Sequence, residues 1–480
     1  MAAGAIGGQV MSTSATLTCW VDGSVHDHAG EWIDVVSPVD ETVVGRVAIA
    51  SPDVVDLAVG SARRAQPAWA WRAPAERADV LDAVASSIHQ NRDDLARTDA
   101  RETGKPLQVA VDEMAGAARY FEYYAAELRT LRGYTIESGG HEHIYVQRAP
   151  YGVVGLVVPW NYAANQTARS AAPALAAGNA VVVKPSELAS AAVLALARLA
   201  TEAGLPDGLL NVVTGDGERV GEVLVTHPDV RRISFTGSVS TGRRIAAHAA
   251  ARLVPVGLEL GGKSPHVVFA DADLDAVAKA VVDGLVTFAG QTCSAGTRVL
   301  VERTVADALQ SRVEGLLGEV DVARDVGPVI SGARRVAITA AIAEAERQGA
   351  RRMGPAAPID GPGFYVAPTV LTQVTPEMSV FGEEVFGPVL TVTSFAEERE
   401  AVHLANATEY GLVAAVWTQS LSRALRVASD LRCGQVFVNR WGADERVPFG
   451  GFGSSGMGRE KGLEALDEYS QPRAVVIDLS

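Results

Sequence analysis

Gly152-Val153-Val154-Gly155-Leu156-Val157-Val158-Pro159-Trp160-Asn161 is the stretch that decides the fold. The run 153–158 is too short for a buried helix, apolar on both faces and ended by a proline, which reads as an interior strand. Similar runs follow at 180–183, 209–213, 233–235 and 256–260, separated by Ala-rich amphipathic stretches. That alternation predicts a parallel sheet covered by helices on both sides, a Rossmann-like α/β unit that binds ligands at the carboxyl ends of its strands.

Working outward, Ser51-Pro52-Asp53 places an N-cap, a first-turn proline and an acid ahead of a helical pattern, and Pro74-Ala75-Glu76 opens a second that runs toward a break at Gly104-Lys105-Pro106. A second βα series begins after Gly262, with apolar runs at 266–269, 369–371, 389–392 and 413–417. The expected organisation is a cofactor domain made of residues 20–127 and 151–261 and a second α/β catalytic domain over 262–460. Residues 128–150 and 461–480 are expected to form a small β arm outside both domains, and residues 1–19 are expected to be disordered. The stretches near 139–146 and 474–479 read as strands without a local core, and such edges need a partner strand.

Bulk properties narrow the function. A chain of 480 residues exceeds one core. Its 48% hydrophobic and 21% charged residues match a soluble globular enzyme, and the formal charge of −15 with no Lys/Arg block argues against nucleic acid. Three dispersed cysteines, Cys19, Cys293 and Cys433, provide neither a disulfide framework nor metal-ligand spacing, so a reducing cytoplasmic setting and no metal are expected. The N-terminal residues lack a secretory pattern, and the most apolar helical stretch, 188–199, is too short to span a bilayer.

The chemistry centres on Phe288-Ala289-Gly290-Gln291-Thr292-Cys293-Ser294-Ala295-Gly296, with Glu259 upstream in Leu258-Glu259-Leu260-Gly261-Gly262-Lys263. A thiolate adds to a carbonyl, and a carboxylate can activate water to hydrolyse the resulting thioester. A lone cysteine among small residues is more often a buried apolar side chain. Three further features accompany this one: Pro159-Trp160-Asn161, Lys184-Pro185-Ser186-Glu187, and Phe235-Thr236-Gly237-Ser238 with Gly242; Glu383-Glu384-Val385-Phe386-Gly387-Pro388 follows downstream. Residues 235–242 link a strand to a helix, and their hydroxyls and free N–H groups suit an anion.

In this combination and order the chain resembles the NAD(P)-dependent aldehyde dehydrogenase superfamily, from about Trp20 to the C-terminus, in its hydrolytic branch. The branch that acylates coenzyme A generally lacks the equivalent of Glu259. The resemblance implies Cys293 as nucleophile, Glu259 as base and Asn161, with the backbone N–H of Cys293, as the oxyanion hole. It implies Gly237, Ser238 and Gly242 near a pyrophosphate, Lys184 and Glu187 on the adenosine ribose, Glu384 and Phe386 at the nicotinamide ribose, and Trp160, Thr236 and Leu260 nearby. A carboxylate at Glu187 repels a 2′-phosphate, which favours NAD over NADP. A small-molecule aldehyde substrate and a homodimer or homotetramer, with the arm pairing across subunits, are also implied.

Departures accompany the resemblance. Glu460 matches a Glu that relays protons, but Ser170 stands where its Lys partner belongs, and Gly453 stands where many members have Lys. The expected substrate pocket is Tyr162, Asn165, Gln166, Arg169, Thr287, Thr292 and Trp441, and its residues after Asn161 are more polar than in members acting on simple aliphatic aldehydes. Arg169 matches an Arg that binds the substrate carboxylate in succinate-semialdehyde dehydrogenases, whereas Thr287 replaces that subgroup's second Arg. Two other readings keep the fold: a thioester hydrolase or esterase without net redox, and a catalytically silent ligand-binding relative.

Overall fold

The computed structural model describes residues 15–26, 30–353, 359 and 361–480. Its first large sheet runs, in order, Gly456–Met457, Val256–Glu259, Val230–Thr236, Val153–Val157, Ala180–Lys184, Leu210–Val212, Trp20–Val21 and Ser24–Val25. The five central strands are parallel. Those at 153–157, 180–184 and 210–212 are buried at every position, as the sequence demanded of strands covered on both faces.

Ser51 caps the helix Pro52–Trp71 by accepting from the N–H of Val54. The second helical pattern divides at Asn91 into Pro74–Gln90 and Arg92–Thr103, and Gly104, at φ 67°, ends it. The helix Leu107–Leu128 then packs against Ala163–Ala176, the helix that carries the polar residues after Asn161.

The second large sheet runs Arg351–Met353, Thr369–Thr372, Val389–Phe395, Arg298–Glu302, Pro265–Val268, Val413–Trp417 and Gln435–Val438, parallel except at its first strand. Two apolar cores cover its faces. Its chain enters directly from Glu259 through the Gly261-Gly262 turn, so the two sheets meet where the first one's strands end.

Three boundaries differ from the sequence reading. Within 1–19, residues 15–17 form a strand against Val43–Ala48, and Cys19 is buried beside Thr214; residues 1–14 lie outside the described residues. The catalytic segment does not continue to 460, because Gly456–Met457 returns to pair with Val256–Glu259 in the cofactor sheet. Residues 461–469 belong to that domain too, since Ala465, Leu466 and Tyr469 join its core. Only Ser470–Asp478 reaches the arm, where it pairs along its whole length with Glu142–Pro150, itself paired with Tyr134–Ile136. The strands expected to seek a partner in another subunit find each other first, because their nine-residue ladders match in register.

Candidate active site

Cys293 lies on the loop after the helix Leu274–Val286. Phe288 and Ala289 hold φ values of 47° and 52°, a left-handed conformation costly for residues with a Cβ and typical of functional turns. The turn is clamped by Gln291, whose amide donates to the carbonyls of Phe288 and Pro328 and accepts from the N–H of Ile330. Gly262 lies so close to this loop that a Cβ there would sit 2.5 Å from the carbonyl oxygen of Cys293, so only glycine permits the approach.

Asn161 reaches the same loop from the end of the strand Val153–Val157. Its Nδ2 donates to the carbonyl of Gln291 at 2.9 Å, and its Oδ1 accepts from Nε2 of Gln166 at 3.2 Å. The second contact fixes the amide with its donor end toward the loop that carries Cys293, leaving one N–H free. Glu259, the last residue of its strand, is 3% exposed, and its Oε2 has no hydrogen-bond partner. Burial pushes its carboxyl well above the usual range, partly offset by Arg169. Burial likewise pushes the Cys293 thiol up to about 11, with Arg169 opposing and Glu259 reinforcing the shift.

The other buried carboxylate, Glu460, is saturated. Ser170 donates to both its oxygens at 3.1 and 3.2 Å, Ser234 and Tyr469 donate at 3.0 Å, and Arg169 lies 3.8 Å away. It is not a surface residue. Ser170, in place of the Lys that the resemblance led one to expect, still contacts Glu460, and the neighbouring Arg169 supplies the positive charge.

Along the first sheet's carboxyl edge, Ser238 caps the helix Val239–Ala251, accepting from the N–H of Thr241 and leaving the helix's first turn open to an anion. Gly242 packs against Leu260, where a Cβ would sit 2.6 Å from the leucine. Lys184, buried, donates to the carbonyl of Gly215 at 3.0 Å and lies 3.8 Å from Glu187; burial lowers its pKa. Glu384 accepts from the N–H of Gly262 at 2.9 Å, and burial raises its pKa. Phe386 packs edge-on against Trp160 at 5.7 Å. A helix start open to phosphate, a Lys/Glu pair suited to ribose hydroxyls and a half-buried carboxylate beside the Gly261-Gly262 turn fit a dinucleotide.

The Aldehyde dehydrogenase family model matches residues 24–475. The chain belongs to the aldehyde dehydrogenase family. It is similar to betaine aldehyde dehydrogenase 2 of Rhizobium meliloti, with 40% identity over 96% of this chain and 97% of that one. The NAD-dependent aldehyde dehydrogenase from Sinorhizobium meliloti superposes with a TM-score of 0.95 at 40% identity, covering 97% of this chain and 95% of the other. An indole-3-acetaldehyde dehydrogenase of P. syringae, solved with NAD+ and IAA, gives 0.94 at 37% identity over 96% of each chain.

Within this aldehyde dehydrogenase, the expected pocket residues separate. Tyr162 and Thr292 meet, hydroxyl to hydroxyl, at 3.3 Å, and Asn165 and Gln166 stand on the adjoining helix. Arg169 is no rim residue: it is 5% exposed, and its Nη2 donates to Thr236 at 3.2 Å and Gln166 at 3.4 Å. Its Nε has no hydrogen-bond partner, and Glu460 and Glu259 hold the guanidinium charged against burial. Thr287 only closes the helix Leu274–Val286, its N–H bonded to the carbonyl of Asp283. Trp441 lies tilted against His266, ring centroids 4.3 Å apart, and borders the small cluster that includes Phe449 and Cys293.

Four residues escaped the sequence reading. Phe288 packs edge-on against Trp160 and Tyr162. Lys105, read only as part of a helix break, is fully buried, bonded to Asp99 and Glu113 and set 4.6 Å over the Tyr162 ring. Phe449, in the cluster that Cys293 packs against, lies 5.4 Å from the Arg169 guanidinium and 4.9 Å from Lys461 Nζ. A lysine trapped between Gly104 and Pro106, or placed directly after Glu460, was the available signal.

Proposed function

We propose that the protein oxidises an aldehyde to a carboxylic acid with NAD, through a thiohemiacetal and then a thioester on Cys293. The observation that carries this reading is the junction itself. Asn161 from one domain and the Cys293 loop from the other are joined by a 2.9 Å hydrogen bond, and Glu259, whose buried Oε2 has no partner, is close enough for its charge to raise the Cys293 pKa.

Cys293 Sγ attacks the carbonyl carbon, and the oxygen that gains charge is stabilised by the free N–H of Asn161 and the backbone N–H of Cys293. One such donor contributes about 3 kcal/mol. NAD, when bound, supplies the hydride acceptor that makes the step an oxidation. Ser238, Gly237, Gly242, Lys184, Glu187, Glu384, Phe386, Trp160, Thr236 and Leu260 would hold it. Glu187 disfavours a 2′-phosphate, so NADP use is expected to be the lesser. Glu259 Oε2 then takes a proton from water, which adds to the thioester and releases the acid. Glu460 matches a Glu that relays protons in the family, but here three hydroxyl donors and the nearby Arg169 saturate it, which favours a positioning role.

An aldehyde panel followed at the nicotinamide absorbance with both cofactors tests the proposal. Aldehyde-dependent reduction of NAD, lost in Cys293→Ala, is expected. Thioester or ester hydrolysis without any NAD requirement would instead establish the hydrolase reading.

We also infer a homodimer or dimer of dimers in a reducing, cytoplasmic setting. The arm supports the assembly by leaving Tyr134, Val476 and Leu479 exposed, and light scattering should report a mass above one chain, reduced by deleting residues 470–480. All three cysteines are free, which suits the setting. No described helix is long and apolar enough to cross a membrane.

A further inference from the structure

Lys461 is the buried cation near the nucleophile that the mechanism leaves without a task. It is 7% exposed, in a left-handed turn at φ 61°, with Nζ 4.9 Å from the Phe449 ring and 6.0 Å from Tyr120. Among the described residues no carboxylate pairs with it. The acids whose charge it feels are Glu445, which Arg119 already holds, and the Cys293 and Glu259 of the reaction centre. Burial pulls its pKa down to about 8, reinforced by Arg169, as expected of an ammonium short of counter-charge.

The contrast with Lys105 is direct. That ammonium is equally buried, but Asp99 and Glu113 neutralise it. Charged groups out of water are ordinarily paired. At Lys461 the counter-charge is missing, and the rings that could receive a cationic ligand face the chain's own ammonium instead.

We propose that Lys461 is a specificity-determining residue that pairs with a carboxylate at the far end of the substrate, making the preferred substrate class aldehydes that carry a second, anionic carboxyl group and disfavouring quaternary-ammonium aldehydes. The inference rests on the aldehyde oxidation proposed above and names its substrate class. Of the two cations whose charge Cys293 feels, Arg169 and Lys461, Arg169 faces Glu460 at 3.8 Å and Lys461 has no ion pair, and its single charge matches a carboxylate monoanion better than a phosphate dianion.

The test compares kcat/KM for succinic semialdehyde, butanal and betaine aldehyde in wild type, Lys461→Arg, Lys461→Met and Lys461→Glu. Wild type should favour succinic semialdehyde over butanal, and betaine aldehyde should be the poorest. In Lys461→Met the succinic semialdehyde to butanal ratio should fall about 10- to 100-fold, mostly through KM, the loss of a charge-assisted bond. Lys461→Arg should retain most of the ratio, and Lys461→Glu should raise the betaine aldehyde to butanal ratio. An unchanged ratio in Lys461→Met overturns the inference. So does an equal fall in kcat for all three aldehydes, which would assign Lys461 to the Cys293 thiolate. Failure of wild type to reduce NAD with any aldehyde would instead refute the oxidation itself; butanal turnover and thermal melting verify that each variant folds.

Discussion

Glu259 and Glu460 are both buried carboxylates of one site, yet their surroundings are opposite. Glu460 accepts from Ser170, Ser234 and Tyr469 and lies beside Arg169, whereas Glu259 leaves Oε2 with no partner at all. Saturation fixes a group, and deprivation leaves it seeking a proton or a water. The first carboxylate therefore organises the site, and the second acts in it. The neighbouring glycine agrees: a Cβ on Gly450 would sit 2.8 Å from Glu259 Oε1, so this wall stays clear by having no side chain.

The largest effect should come from Glu259→Gln, with steady-state kcat falling about 1000-fold, the range of a positioned general base. An equal loss in Glu460→Gln would break the distinction. In stability the order should reverse. Glu460→Leu strands three hydroxyls and an arginine and should cost about 3 kcal/mol in denaturant unfolding. Glu259→Gln should instead stabilise by about 1 kcal/mol at neutral pH. Because the folded protein holds the Glu259 carboxyl above its unfolded range, ionisation costs stability as pH rises above about 4.3, and the gain in the variant should vanish below that.

A smaller effect concerns the thiol. With burial pushing Cys293 up to about 11, alkylation by iodoacetamide without cofactor should quicken about tenfold per pH unit from about pH 7 to about pH 9. A plateau in that window would mean a thiolate already formed. The smallest expected change is in Gln166→Ala, which frees the Asn161 amide to rotate: kcat should drop about threefold to tenfold, corresponding to one neutral hydrogen bond, with alkylation of Cys293 little altered.

The fold was legible where burial on both faces wrote continuous apolar runs, as at 153–157 and 180–184. It was not legible at Arg298–Glu302, a central strand that begins with a charged residue. There the Arg298 guanidinium is buried by donating to the carbonyls of Lys263, Leu404 and Ala405, all distant in sequence. The site followed the same rule. Cys293, Glu259 and Asn161 end or follow recognisable elements, and the local sequence announced them. Arg169 was legible only as a pocket candidate and Lys461 not at all, because what decides each is a partner far along the chain, or the want of one. The left-handed pair Phe288-Ala289 carried no glycine to mark it.

The most direct test is a single turnover of Glu259→Gln with NAD and an aldehyde, followed by intact-protein mass spectrometry after acid quench. One equivalent of reduced cofactor per active site, with the acyl group retained as added mass on Cys293, is the predicted result. Continued turnover at the wild-type rate with no acylated protein would contradict the assignment of Glu259 as the base that frees the product.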